Sequence, residues 1–124
     1  MTVMIVEDEH DVREPLAKFL RTKGLSVLCA PNGAVAIAQL SSSSIDLVVT
    51  DIRMPEVSGT ELLRHVRSHY PAVPVIVITA FGTIEDAVST IRMGASDYVV
   101  KPLVFGDMLQ KISRALDGVI TGES

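Results

Sequence analysis

Leu47-Val48-Val49 and Val75-Ile76-Val77-Ile78 are apolar at every position. A strand with one wet face alternates between apolar and polar. An unbroken apolar run belongs inside a parallel sheet covered by helices on both sides. Working outward, these runs read as strands over Ile45–Thr50 and Val73–Thr79, and Thr2–Glu7, Ser26–Ala30 and Asp97–Val100 read as three more. The stretches between them carry helical spacing. Val12, Leu16, Phe19 and Leu20 form the first apolar stripe, Ala34, Ile37 and Leu40 the second, and Leu62, Leu63 and Val66 the third. Ile84, Ala87, Val88 and Ile91 form the fourth, and Phe105, Met108, Leu109, Ile112 and Leu116 the fifth.

Ser58 with Glu61 and Thr83 with Asp86 have the spacing of N-cap pairs. Gly24 and Gly94 stand where a helix end wants a left-handed residue, and Ser41–Ser44 reads as a loop. Strict alternation gives a (βα)5 α/β unit, a doubly wound five-stranded parallel sheet. With right-handed crossovers the expected strand order is 2-1-3-4-5, the flavodoxin-like arrangement, with its crevice at the carboxyl ends of strands one and three. Residues 1–117 are expected to form one domain, and 118–124 a tail or the start of a linker.

Composition narrows the function. The 124 residues fit one core, and 48% apolar with 21% charged residues argues against disorder. Fifteen acids against eleven Lys and Arg give a net charge of −4, so direct nucleic-acid binding by this domain is not expected. The longest apolar run, Val73 to Phe81, is too short for a membrane helix, and the N-terminus lacks the basic flank of a signal peptide. A lone Cys29 excludes an internal disulfide and a Cys-based zinc site. A cytoplasmic location is expected.

The strand endings carry the chemistry. Strand one ends in Glu7-Asp8-Glu9, strand three leads into Asp51-Ile52-Arg53-Met54-Pro55, strand four ends in Thr79-Ala80, and strand five in Lys101-Pro102. Neighbouring strands one and three would crowd Glu7, Asp8 and Asp51 so that each raises the others' pKa. A cation relieves that crowding, and oxygen-only ligands favour Mg²⁺. With a lysine and a hydroxyl beside it, the rim holds the parts a phosphoryl group needs. Taken singly, Asp8 or Asp11 is an ordinary helix cap, Asp51 a turn residue, Thr79 a β-branched strand end and Lys101 a surface lysine. Their coincidence on one rim argues otherwise. Glu61, His65 and His69 could form a metal face, but they read as a solvated helix surface. His10 reads as the lead into the first helix rather than a phosphodonor.

These elements, with Ser58-Gly59 and Tyr98-Val99-Val100-Lys101-Pro102, resemble the receiver domain of bacterial two-component response regulators, from about Val3 to Leu116. The resemblance implies that Asp51 accepts a phosphoryl group from a sensor histidine kinase. It implies that Asp8 binds Mg²⁺ directly, Glu7 acts through a metal-bound water, and the Arg53 carbonyl is a third ligand. Lys101 would contact the phosphoryl group, and Thr79 and Tyr98 would carry the switch. The family often has two aspartates in the acidic pair; Glu7 is a common variant. The stretches Thr79–Thr83 and Gly94–Tyr98 are similar to receivers joined to transcription-activating domains.

The resemblance further implies a phosphoacceptor switch, not an enzyme acting on other substrates. The face of helix four, strand five and helix five holds Ile84, Ile91, Asp97 and Lys111, a mix suited to a second copy of the domain, and a phosphorylation-dependent homodimer there is the expected output because closed two-fold pairing is the commonest assembly. By family analogy, Arg53 and Phe81 would flank the path of attacking water and slow hydrolysis of the phosphoaspartate. Two other readings meet obstacles. A haloacid-dehalogenase-like phosphatase needs a second Asp where Arg53 stands. A flavodoxin needs a phosphate loop where Glu7-Asp8-Glu9 would repel the phosphate.

Overall fold

The computed structural model describes residues 1–80 and 82–116. Phe81 and the expected tail, 118–124, lie outside the described residues, as does residue 117. The strands are β1 (Thr2–Val6), β2 (Ser26–Ala30), β3 (Leu47–Asp51), β4 (Val75–Thr79) and β5 (Asp97–Val100). The helices are α1 (His10–Thr22), α2 (Gly33–Ser42), α3 (Gly59–His69), α4 (Ile84–Arg92) and α5 (Phe105–Ala115). The strands form one parallel sheet in the expected order β2-β1-β3-β4-β5.

Side chains alternate between two apolar layers, as the pleat requires. Val3, Ile5, Val27, Leu47, Val49, Ile76 and Ile78 pack under α1 and α5, against Leu16, Leu20, Met108 and Ile112. Met4, Val6, Val48, Val75 and Val77 pack on the other face, against Ala36 and Leu40 of α2 and Leu62, Leu63 and Val66 of α3. The central strands β3 and β4 are buried throughout.

Four strand boundaries move, one of them the end of β3, which runs on to Asp51. β1 stops at Val6, although Glu7 N–H still donates to the Ala30 carbonyl at 3.1 Å. β3 begins at Leu47 because Asp46 is occupied at the mouth of the sheet, where its carboxylate accepts the Thr2 N–H at 2.7 Å. β4 begins at Val75 because Pro74 has no N–H to give; its carbonyl accepts from Val48 at 3.0 Å.

The expected caps form: Ser58 accepts from Glu61 N–H and Thr83 from Asp86 N–H. Gly24 and Gly94 have φ of 87° and 104°. The α1 N-cap is Glu9, without a side-chain cap bond, so neither Asp8 nor Asp11 caps that helix. Ser41 and Ser42 belong to α2 rather than a loop; both hydroxyls donate to the Ala38 carbonyl.

The apolar stripe of α2 is corrected. On α2 the buried residues are Gly33, Ala36 and Leu40, whereas Ala34 is exposed. A helix apolar on most sides offers little periodicity to read. On α4 the stripe does not face the core. Ile84 is 85% exposed, Val88 44% and Ile91 46%, while Thr90 is buried. The Thr90 hydroxyl donates to the Asp86 carbonyl at 2.7 Å, so its polar atom is satisfied inside the protein.

Candidate functional site

Parallel strands end on one edge, so β1, β3, β4 and β5 deliver Glu7, Asp51, Thr79 and Lys101 to the same rim. Asp51 is the last residue of β3 and is buried. Both of its carboxylate oxygens are held. The Arg53 N–H donates to Oδ1 at 3.0 Å, and Lys101 Nζ donates to Oδ2 at 2.7 Å. Behind it, Gly59 opens α3 so close to β3 that a Cβ there would overlap the Asp51 carbonyl oxygen and Ile52 Cα. The tight seam between strand and helix therefore needs a glycine.

Glu7 is fully buried. Its Oε2 accepts from the Glu9 N–H at 3.1 Å, and its Oε1 lies 2.6 Å from Lys101 Nζ without a well-directed hydrogen bond. Glu9 Oε1 is 3.5 Å from the same ammonium. Carboxylate oxygens of Glu7, Asp8 and Asp51 all come within 4.8 Å of one another. At an effective dielectric of 20, each such pair, when both are ionised, repels by about 3.5 kcal/mol or more, less where water reaches exposed Asp8. The two short Lys101 contacts return about 6 kcal/mol apiece on the same scale. One ammonium thus does much of the work of a counter-ion.

The Glu7 carboxyl is pushed up to about 7. Burial is the main cause, ahead of the neighbouring acids that the sequence suggested; Lys101 and the Glu9 amide pull the other way, and Asp8 and Asp51 push up further. Burial alone would lower the Lys101 ammonium, but Asp51 and Glu7 outweigh it and hold it above its ordinary value. The donor set is all oxygen, and Glu7 Oε1 is buried with an unfilled hydrogen-bonding capacity. These features fit a hard divalent cation.

Thr79 is buried at the end of β4, and Tyr98 pairs with Val77 from β5. Burial and the Asp86 charge push the Tyr98 phenol up, against hydrogen bonds with the Thr83 backbone and the Thr79 side chain. The Thr79 side chain thus lies beside the Tyr98 phenol, and the Tyr98 ring is half-buried against the α2–α3 layer. The Arg53 side chain is exposed at the rim. Phe81, its expected companion, lies outside the described residues.

Residues 3–113 match the response regulator receiver domain family. The chain belongs to that family. It is 40% identical over 114 residues to the regulatory protein AtoC of Escherichia coli K12, covering 92% of this chain and 25% of AtoC. It is 37% identical over 116 residues to the transcriptional regulatory protein CusR of the same strain, covering 94% of this chain and 51% of CusR. The receiver thus spans a quarter to a half of these curated relatives.

Among solved structures, a CheY-like receiver from Methanospirillum hungatei superimposes with a TM-score of 0.88 at 28% identity, covering 94% and 93% of the two chains. The response regulator TrrA of Thermotoga maritima, solved with Mg²⁺ and BeF, superimposes at 0.83 with 31% identity, covering 92% and 97%.

Within the receiver, Glu7, Asp8 and Asp51 are the only cluster of three or more His, Cys, Asp or Glu ligands among the described residues. His65 and His69 stack at 4.2 Å, and His69 Nδ1 lies 3.0 Å from the His65 carbonyl oxygen. Glu61 instead pairs with Ser58 at 3.4 Å, so the three do not converge. His10 is the first residue of α1 and is exposed. Sequence reasoning gave no role to Arg13, whose Nη1 donates to the Glu7 carbonyl at 2.8 Å; a side-chain bond to a backbone atom six residues away has no sequence signature.

Proposed function

We propose that this receiver is a phosphoacceptor switch with Asp51 as its nucleophile. The observation that carries the reading is the grip on Asp51. One oxygen is oriented by the Arg53 N–H and the other by Lys101, beside two further carboxylates at the sheet edge. A phosphoryl group passes from a histidine nitrogen of a sensor kinase to an Asp51 oxygen, and the donor leaves as neutral imidazole. Asp8, Asp51 and the Arg53 carbonyl would hold Mg²⁺, with Glu7 acting through a bound water. Held there, Mg²⁺ would supply positive charge against that developing on the phosphoryl oxygens. Lys101, already at Asp51, turns its ammonium to another phosphoryl oxygen. The same groups serve hydrolysis of the acyl phosphate, so the domain catalyses only its own phosphorylation and dephosphorylation.

The phosphoaspartate carries nearly two negative charges. It draws the Thr79 hydroxyl away from Tyr98, and the balance of α4 shifts toward a second arrangement. The exposed Ile84, Val88 and Ile91 then form, with β5 and α5, the surface for a second copy of the domain. A helix that turns its apolar stripe to solvent supports that role. The output is control of transcription in the cytoplasm through a segment outside this domain, not nucleic-acid binding by the acidic receiver itself. Incubation with acetyl phosphate and Mg²⁺ tests the reading: one base-labile phosphoryl group is expected, lost in Asp51→Asn.

A further inference from the structure

Arg13 sits at the start of α1 with its side chain 14% exposed. Its Nη1 donates to the Glu7 main-chain oxygen at 2.8 Å, and its Nε donates to Glu14 Oε2 at 2.9 Å. The guanidinium therefore spans from the helix to the peptide that joins Glu7 to Asp8. The rest of that loop is pinned at its flanks. Glu7 N–H is held by Ala30, Glu9 N–H by the Glu7 carboxylate, and the Glu9 carbonyl by the N–H groups of Val12 and Arg13. Asp8 itself is exposed and has no cation against it among the described residues. The backbone on either side of Asp8 is thus held, and Arg13 holds it at the Glu7 carbonyl.

We propose that Arg13 is a positioning residue for the cation site: by clamping the Glu7–Asp8 peptide it aims the Asp8 carboxylate at Glu7 and Asp51. This rests on the reading that the acidic cluster holds a divalent cation. Geometry and charge predict opposite signs. Arg13 is a cation near the cluster, so Coulomb's law alone says that removing it tightens binding of Mg²⁺. Its charge is already matched by Glu14, whose carboxyl it pulls below the ordinary value. Loss of the clamp leaves Asp8 to be ordered by the metal, which weakens binding. Loss of such an outer contact typically costs tenfold or more in metal affinity.

The test is an NMR titration of the whole chain with Mg²⁺ at constant ionic strength, with thermal unfolding of each variant alongside. Arg13→Met keeps the apolar stem and should bind Mg²⁺ about tenfold more weakly. In an Asp8→Asn background the same change should have little further effect, because its action runs through Asp8. Arg13→Lys keeps the charge but cannot grip at two points, so its affinity should fall between the parent and Arg13→Met. Binding by Arg13→Met as tight as the parent's, or tighter, overturns the proposal; so does an equal loss in both backgrounds. If Arg13→Met does not fold, Arg13→Lys decides, and parent-like affinity there overturns it. A parent that binds no Mg²⁺ refutes the cation site itself, a distinct outcome.

Discussion

Lys101 Nζ lies 2.6 Å from Glu7 Oε1 while it donates to Asp51 Oδ2 at 2.7 Å. The ammonium bridges strands one and three through strand five and takes part of the place a metal ion would fill. Mg²⁺ must therefore compete with it. Lys101→Met should bind Mg²⁺ more tightly, by roughly tenfold for one charge removed at close range, yet accept phosphate from acetyl phosphate far more slowly. Isothermal titration of both proteins reads the first effect, and the rate of labelling by acetyl phosphate the second. Weaker Mg²⁺ binding would contradict the competition.

The raised Glu7 carboxyl gives the metal-free protein a pH dependence. Its ordinary value is 4.5 and its folded value about 7. An acid raised in the folded state favours folding most below pH 4.5, and that advantage is lost as the pH climbs through about 7. Urea unfolding in EDTA should show stability falling across this window relative to Glu7→Gln, by at most about 3 kcal/mol. Parallel profiles for the two proteins would contradict the assignment.

Within the metal site, Asp8 and Glu7 should not be equal. Asp8, the proposed direct ligand, is exposed, whereas Glu7 is buried behind the Lys101 ammonium. Asp8→Ala should lose more Mg²⁺ affinity than Glu7→Ala. The reverse order, read from the same titration, would invert their roles.

The closeness of Thr79 to the Tyr98 phenol makes a direct test of the proposed switch. Thr79→Ala should still accept phosphate at Asp51. Its α4, β5 and α5 amides should no longer shift on phosphorylation, and its association state should not change. If Thr79→Ala combined with Tyr98→Ala responds as the parent does, the signal takes another route.

Much of this was legible in the residues alone. Unbroken runs such as Val75–Ile78 announce a doubly covered parallel sheet, and in such a sheet all strand endings meet at one edge. The meeting of Glu7, Asp8, Asp51, Thr79 and Lys101 follows from those two facts. Periodicity marks the α4 apolar face without saying what covers it, and it does not show that Thr90 lies inward with its hydroxyl bonded to its own helix. The counter-ion role of Lys101 toward Glu7 and the Arg13 clamp depend on side-chain reach across elements, which spacing does not encode.

The central claim is that Asp51 alone receives the phosphoryl group. Acetyl phosphate with Mg²⁺, followed by reductive trapping and mass spectrometry of peptides, measures this directly. The account predicts one modified residue, Asp51, in the parent and none in Asp51→Asn. Trapping at any other residue of the parent, or equal labelling of Asp51→Asn, would contradict it.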